Sequence, residues 1–98
     1  MTVKVIKEVA AVADFLRLRV ISGLTPRPVE AAKKALPNSL FGVHLIIDNN
    51  TVAMGRVVGD GALNFEIVDV AVDPQYQGQG LGRIVMQNIM QYLNENAP

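Results

Sequence analysis

Glu66, Gly78, Gly80, Gly82 and Arg83 are the residues of this chain whose types and spacing could do chemistry. The glycines alternate in "VDPQYQGQGLGR" (72–83), behind an apolar run and where an amphipathic stretch begins. Glycine in an ordered element costs about 1 kcal/mol relative to alanine. Three of them at a helix start imply unusual backbone angles or the close approach of a ligand. Unpaired N–H groups and a partial positive charge at a helix N-terminus make the stretch a candidate phosphate cradle, and Arg83 adds a charge-assisted contact. Spacing alone leaves a ligand-free strand-to-helix turn equally open. Two phosphate loops are excluded: no Lys-Ser or Lys-Thr pair follows a glycine loop, and the glycines read G-x-G-x-G where a dinucleotide fingerprint needs G-x-G-x-x-G.

Glu66 lies in "ALNFEIVDVAV" (62–72). Strict alternation puts it on one face with Val68, Val70 and Val72, and a carboxylate on a largely apolar face suits a general base. A solvated strand glutamate is the plain alternative. The same alternation sends Asp69 to the opposite face with Leu63, Phe65, Ile67 and Ala71, where a buried acid needs a partner. His44, among Val43, Leu45 and Ile46, reads as a structural histidine or an exposed strand residue ahead of a catalytic acid or base.

The elements that must position these groups follow from hydrophobic period. Residues 2–9 alternate as a short strand. Residues 10–23 place Val12, Phe15, Leu16 and Val20 on one helical stripe, with Gly23 as the stop. Prolines bracket a second short helix, roughly Val29 to Leu36. "LFGVHLIID" (40–48) and "TVAMGRVVG" (51–59) are strands joined at Asn49-Asn50, a turn at 59–61 leads to a third strand over 62–72, and the three form an antiparallel meander. From Gly80, residues Leu81, Ile84, Val85, Ile89, Tyr92 and Leu93 keep helical spacing to about Asn94. The expected class is α+β in the order β-α-α-β-β-β-α, as a single domain over residues 1–98.

Composition narrows the function. Nine basic and nine acidic side chains leave no electrostatic footprint for nucleic acid or an anionic membrane. No cysteine is present, which excludes disulfides and thiolate chemistry and fits a cytoplasmic protein. One histidine builds no zinc site. No apolar run reaches the length of a membrane span.

The stretch from Val70 to Gly82, with Gln77, Gly80 and Gly82 after "VAVDP", resembles the coenzyme A motif Gln/Arg-x-x-Gly-x-Gly/Ala of the GNAT superfamily of N-acetyltransferases. The element order resembles that family through nearly the whole chain. The resemblance implies a mainly antiparallel sheet flanked by helices and acetyl transfer from acetyl-CoA to a primary amine. It implies that Val70, Ala71 and Val72 line the pantetheine arm, and that Gln77, Gly78, Gln79, Gly80, Leu81 and Gly82, with Arg83, hold the diphosphate. It also implies Glu66 as general base, since "EIVDVAV" is similar to the strand carrying a catalytic glutamate in some histone acetyltransferases. The acceptor stays open: small molecule, polyamine, aminoglycoside or peptide amine. A non-catalytic coenzyme A-binding or self-associating module is the alternative. Asn38, Ser39, Phe41 and Arg56, with the loop 22–28, are candidates for the acceptor pocket.

A complete domain of this kind would continue for roughly 35–45 residues beyond the last helix at average element lengths. The sequence therefore resembles the N-terminal two-thirds of such a domain. The strand over 62–72 would then have an open edge, which implies pairing with a second copy.

Overall fold

The structure, a computed structural model, describes residues 2–98. Four strands form one sheet in the order β1-β2-β3-β4: β1 Lys4–Ile6, β2 Phe41–Ile47, β3 Asn50–Gly59 and β4 Phe65–Val72. Each neighbouring pair is antiparallel. Helices α1 (Val12–Ile21) and α2 (Val29–Ala35) cover one face, and α3 (Leu81–Asn96) covers the other. This is the expected α+β arrangement.

α3 forms because its apolar residues recur at helical spacing, and Leu81, Val85 and Ile89 are its buried row. They pack on Val43, Leu45, Ile47 and Val57. Full burial of each such side chain contributes about 1.5–3 kcal/mol. Gly55 of β3 makes this packing possible. A Cβ there would stand 2.7 Å from Val85 Cγ1 and 3.0 Å from Ile89 Cδ1, so helix and sheet meet with no clearance. On the other face, Phe15 and Leu18 of α1 and Ala32 of α2 pack against Met54 and Ala71.

Several boundaries differ from the sequence expectation. β1 is short because the chain after Ile6 leaves the sheet edge and crosses β2, where His44 Nδ1 lies 2.7 Å from the Glu8 carbonyl oxygen. His44 is thus the structural residue expected. The α1 stripe does not include Val20, which is 56% exposed; the buried row is Phe15, Leu18 and Arg19. The β2–β3 turn is one residue earlier than expected. Asp48 and Asn49 both take positive φ (50° and 65°), as a two-residue hairpin loop with the twist of its strands requires. β4 begins at Phe65 because Asp60 captures the residues before it. Its carboxylate accepts from the backbone N–H groups of Ala62, Leu63 and Asn64 and from Asn64 Nδ2. These bonds, led by the Asn64 N–H, hold the Asp60 carboxyl well below the ordinary carboxylate range.

Candidate functional site

β4 is an edge strand, and its register is broken once. Met54 pairs with Ala71, yet Arg56 pairs with Val68, so Gly55 faces two residues, Asp69 and Val70. This is a β-bulge, and Asp69 sits in it with φ 58°. Aspartate tolerates that left-handed conformation better than most residues. The bulge overturns the alternation expected for β4. Glu66 is opposite Val58, on the α1/α2 side with Val68. Val70 lies by Gly55 on the α3 side, and Val72 joins the same core. Glu66 therefore does not share a face with Val70 and Val72. Nor does Asp69 lie with Phe65 and Ile67, which pack on the α3 side. The extra residue rotates the strand by one position.

Beyond the bulge, the backbone of β4 opens outward. The Asp73 N–H donates to the Val52 carbonyl at 2.8 Å, which directs residue 73 toward β3. Alternation then turns the peptide groups of Val70 and Val72 to the free edge. The Val72 carbonyl accepts instead from Gln77 Nε2 at 3.3 Å. Two residues named from the motif are thereby brought together.

Asp73 accepts from the Gln75 N–H and starts a short 3₁₀ turn, Pro74–Tyr76. Gly78 and Gly80 follow with φ 82° and 80°, and beyond their chain neighbours no heavy atom among the described residues stands within 4 Å of where either Cβ would be. Gly80 is the N-cap of α3, and no side chain caps the helix. The first N–H groups of α3, at Leu81, Gly82 and Arg83, have no intrahelical acceptor. Gly82 is helical, and a Cβ there would meet only Val72 Cγ2 at 3.8 Å. Gln77, Gln79 and Arg83 are exposed around this end, whereas Leu81 is buried and anchors it. The residues present thus fit an anionic group: unpaired donors, a helix dipole, no methyl groups in the way and one guanidinium.

On the opposite face, Asp69 is held by two arginines. Arg19 Nη1 donates to its Oδ1, and Arg56 Nε donates to its Oδ2 at 2.6 Å. Arg19 Nε also donates to the Thr25 carbonyl at 2.7 Å, and Arg56 Nη1 to Ser39 Oγ at 3.0 Å. The Phe15 ring lies 6.0 Å from the Arg19 guanidinium and 5.9 Å from that of Arg56. Asp69 thus has the partner that a buried acid requires. Arg56 and Asp69 of this triad line a cleft of about 280 Å³ together with Phe15, Arg27, Ala31, Ala32, Ala35, Val58 and Val68. Of the acceptor-pocket candidates, Arg56 and Ser39 meet here, and the loop 22–28 lines the cleft through Arg27. Asn38 is turned away to the Lys34 carbonyl, and Phe41 stacks on Tyr92 on the α3 side, ring centroids 4.7 Å apart. Glu66 is exposed beside this cleft, across from Val58. Arg19 and Arg27 were not singled out in the sequence. The signal for Arg19 was an arginine beside Leu18 within the buried row of α1, and for Arg27 its position between two prolines.

The sequence model of the acetyltransferase (GNAT) family matches residues 11–97. The chain belongs to the GNAT family. A probable acetyltransferase of meticillin-resistant Staphylococcus aureus, a protein of unknown function, has a crystal structure that superposes on this GNAT chain with TM-score 0.94. The two are 42% identical, over 99% of this chain and 73% of that one. An uncharacterised N-acetyltransferase of Pyropia yezoensis is 34% identical over 77 residues, 74% of this chain and 44% of the relative. The ribosomal-protein-S18-alanine N-acetyltransferase of Escherichia coli, at 18% identity, shares the fold with TM-score 0.78 over 96% of this chain and 61% of its own. This GNAT chain spans less than half the length of the curated relatives it matches. Among the described residues, no helix is long and apolar enough to cross a membrane.

Proposed function

We propose that this GNAT chain carries the donor site and one wall of the acceptor site of an N-acetyltransferase that uses acetyl-CoA and a primary amine. The observation that carries the reading is the uncapped start of α3, with Gly78 and Gly80 at positive φ, placed directly after the free edge of β4. A diphosphate would be held by the N–H groups of Gln77, Gly78, Gln79, Gly80, Leu81 and Gly82 and by Arg83. The outward peptide groups of Val70 and Val72 would pair with the amide-bearing arm, while Ala71 between them stays packed against Met54. When bound, acetyl-CoA supplies an acetyl group activated as a thioester.

The chain's own task at the acceptor is proton handling. An alkylammonium must lose a proton to become a nucleophile. Glu66 is exposed beside the cleft and free to accept that proton, directly or through a water. Asp69 is not, because both its oxygens are engaged by guanidinium groups.

Calorimetric titration of the 98-residue chain with coenzyme A tests the donor site. Arg83→Ala should weaken binding by roughly tenfold, the scale of one charge-assisted hydrogen bond, and Gly80→Val should abolish it. Equal affinities for all three chains would overturn the reading. The free edge of β4 favours a second reading, a coenzyme A-binding module that associates through that edge. Acetyl-CoA turnover with a panel of amines separates the two.

A further inference from the structure

We infer that the amine taken by the α1/α2 cleft carries an anionic group, carboxylate or phosphate, at its other end, and that Arg27 receives it. The inference rests on the acetyl-transfer reading for the amine and on the cleft itself for the anion. Two guanidinium groups, those of Arg19 and Arg56, hold a single carboxylate, Asp69, and a third arginine, Arg27, lines the same cleft. Two of the three are committed. Arg19 holds Asp69 and the Thr25 carbonyl, and Arg56 holds Asp69 and Ser39. Arg27 lines the cleft and has no hydrogen-bond or ion-pair acceptor among the described residues.

The placement of Arg27 is prepared in advance. It stands between Pro26 and Pro28, and a following proline restricts a residue to extended backbone. Pro28 itself is extended, with φ −66° and ψ 142°. The segment is pinned from below, because Arg19 Nε donates to the Thr25 carbonyl at 2.7 Å and the Leu24 N–H donates to the Arg19 carbonyl at 2.8 Å. Arg19 thus ties the segment bearing Arg27 to Asp69 on the cleft floor. The backbone that presents Arg27 is thereby fixed beside the cleft, and a guanidinium there can meet a planar carboxylate or a phosphate with two N–H donors.

The rest of the lining sets the class of molecule. Ala31, Ala32 and Ala35 of α2 and Val58 and Val68 of the sheet are small or apolar, and suit a short aliphatic linker. About 280 Å³ lies at the lower end of the range for small-molecule sites. Glu66, opposite Val58, stands at the β4 wall. The cleft therefore offers a cation on the α1–α2 segment, with the Glu66 carboxylate of β4 exposed beside it, a match for a molecule with an anion at one end and an amine at the other. A diamine would bring a second ammonium to Arg27 and Arg56.

The test uses four probes: 5-aminopentanoate, its uncharged amide 5-aminopentanamide, 1,5-diaminopentane and phosphoethanolamine. Each is titrated into the 98-residue chain while the backbone amide NMR signals of Arg27, Val58 and Val68 are followed. The two anionic amines should bind at least about tenfold more tightly than the amide and the diamine, and whichever of the two binds more tightly identifies carboxylate or phosphate as the source. Arg27→Ala should erase the preference, Arg27→Lys should keep most of it, and neither should change coenzyme A affinity. Equal or tighter binding of the amide or diamine, a preference that survives Arg27→Ala, or no binding of any probe overturns the inference. Anion preference without acetylation of any probe defeats the transfer reading and leaves this one standing. Acetylation of the amide and diamine as readily as the anionic amines does the reverse.

Discussion

Arg56 Nε donates to Asp69 Oδ2 at 2.6 Å from the strand opposite a bulge in which Asp69 itself has a left-handed backbone. The ion pair and the bulge depend on each other. The extra residue turns Asp69 toward the α1/α2 face, and the guanidinium groups there neutralise a carboxylate that would otherwise be buried unpaired.

Asp69→Asn separates these contributions, because asparagine also tolerates positive φ. It leaves two guanidinium groups, one of them on the buried Arg19, facing a neutral amide. Removing one member of a buried ion pair costs about 3–5 kcal/mol. A denaturant titration should show a loss near that range. A loss under about 1 kcal/mol would mean that water already screens the triad.

Gly80 and Gly82 should respond to alanine in opposite directions. At φ 80°, Gly80→Ala should cost about 1–2 kcal/mol. At Gly82 the backbone is helical and a Cβ meets only Val72 Cγ2 at 3.8 Å, so alanine should stabilise by up to about 1 kcal/mol and leave coenzyme A binding intact. Thermal melts with and without coenzyme A read both effects.

Glu66→Gln keeps shape and removes basicity. In a form of the protein that turns over, the rate should fall by roughly 10²–10⁴-fold and recover in part as pH rises, with coenzyme A affinity unchanged. A pH–rate profile identical to the parent's would make Glu66 a solvated strand residue and nothing more.

Asp60 predicts the acid limit of the β3–β4 loop. Its folded-state pKa is depressed, so its contribution is fully present above the ordinary carboxylate value of roughly 4 and is lost only as pH falls below that. The difference in melting temperature between the parent and Asp60→Ala should be constant from neutral pH to about 4 and shrink in stronger acid. A difference that shrinks already between pH 7 and 5 contradicts the hydrogen-bond count at this carboxylate.

The β4 edge predicts self-association of the 98-residue chain. Its outward peptide groups are unpaired by any strand among the described residues, and Val70 is 36% exposed. Sedimentation should show a dimer at micromolar concentration that weakens with Val70→Lys, since an edge charge disfavours strand addition. A monomer at every concentration refutes the pairing.

The parts legible in the sequence were those encoded by local period. Leu81, Val85 and Ile89 mark α3 because their spacing alone defines its buried row. Gly78 and Gly80 mark the strand-to-helix turn because only unusual φ justifies glycine there. The faces of β4 were not legible beyond Asp69, because alternation assumes one residue per position and a bulge inserts another. Arg19 was not legible as a core residue, since the carboxylate that makes its burial tolerable is fifty positions away. Arg27 lay inside the loop 22–28, which the family resemblance already assigned to the acceptor pocket, but only the fold shows which of its residues lines the cleft.

Gly55 has a mechanical consequence. Because Val85 and Ile89 rest against β3 where a side chain would not fit, α3 is registered on the sheet like a part seated on a datum surface, about one and two turns behind its own tip. The segment leading into that tip packs no side chain at Gly78 or Gly80, whereas Leu81 seats the tip itself in the core. The tip is aimed by the buried row of its own helix. Residues 78–80 are left to be shaped by whatever they hold, while the direction in which the helix points is decided by side chains packed on the sheet.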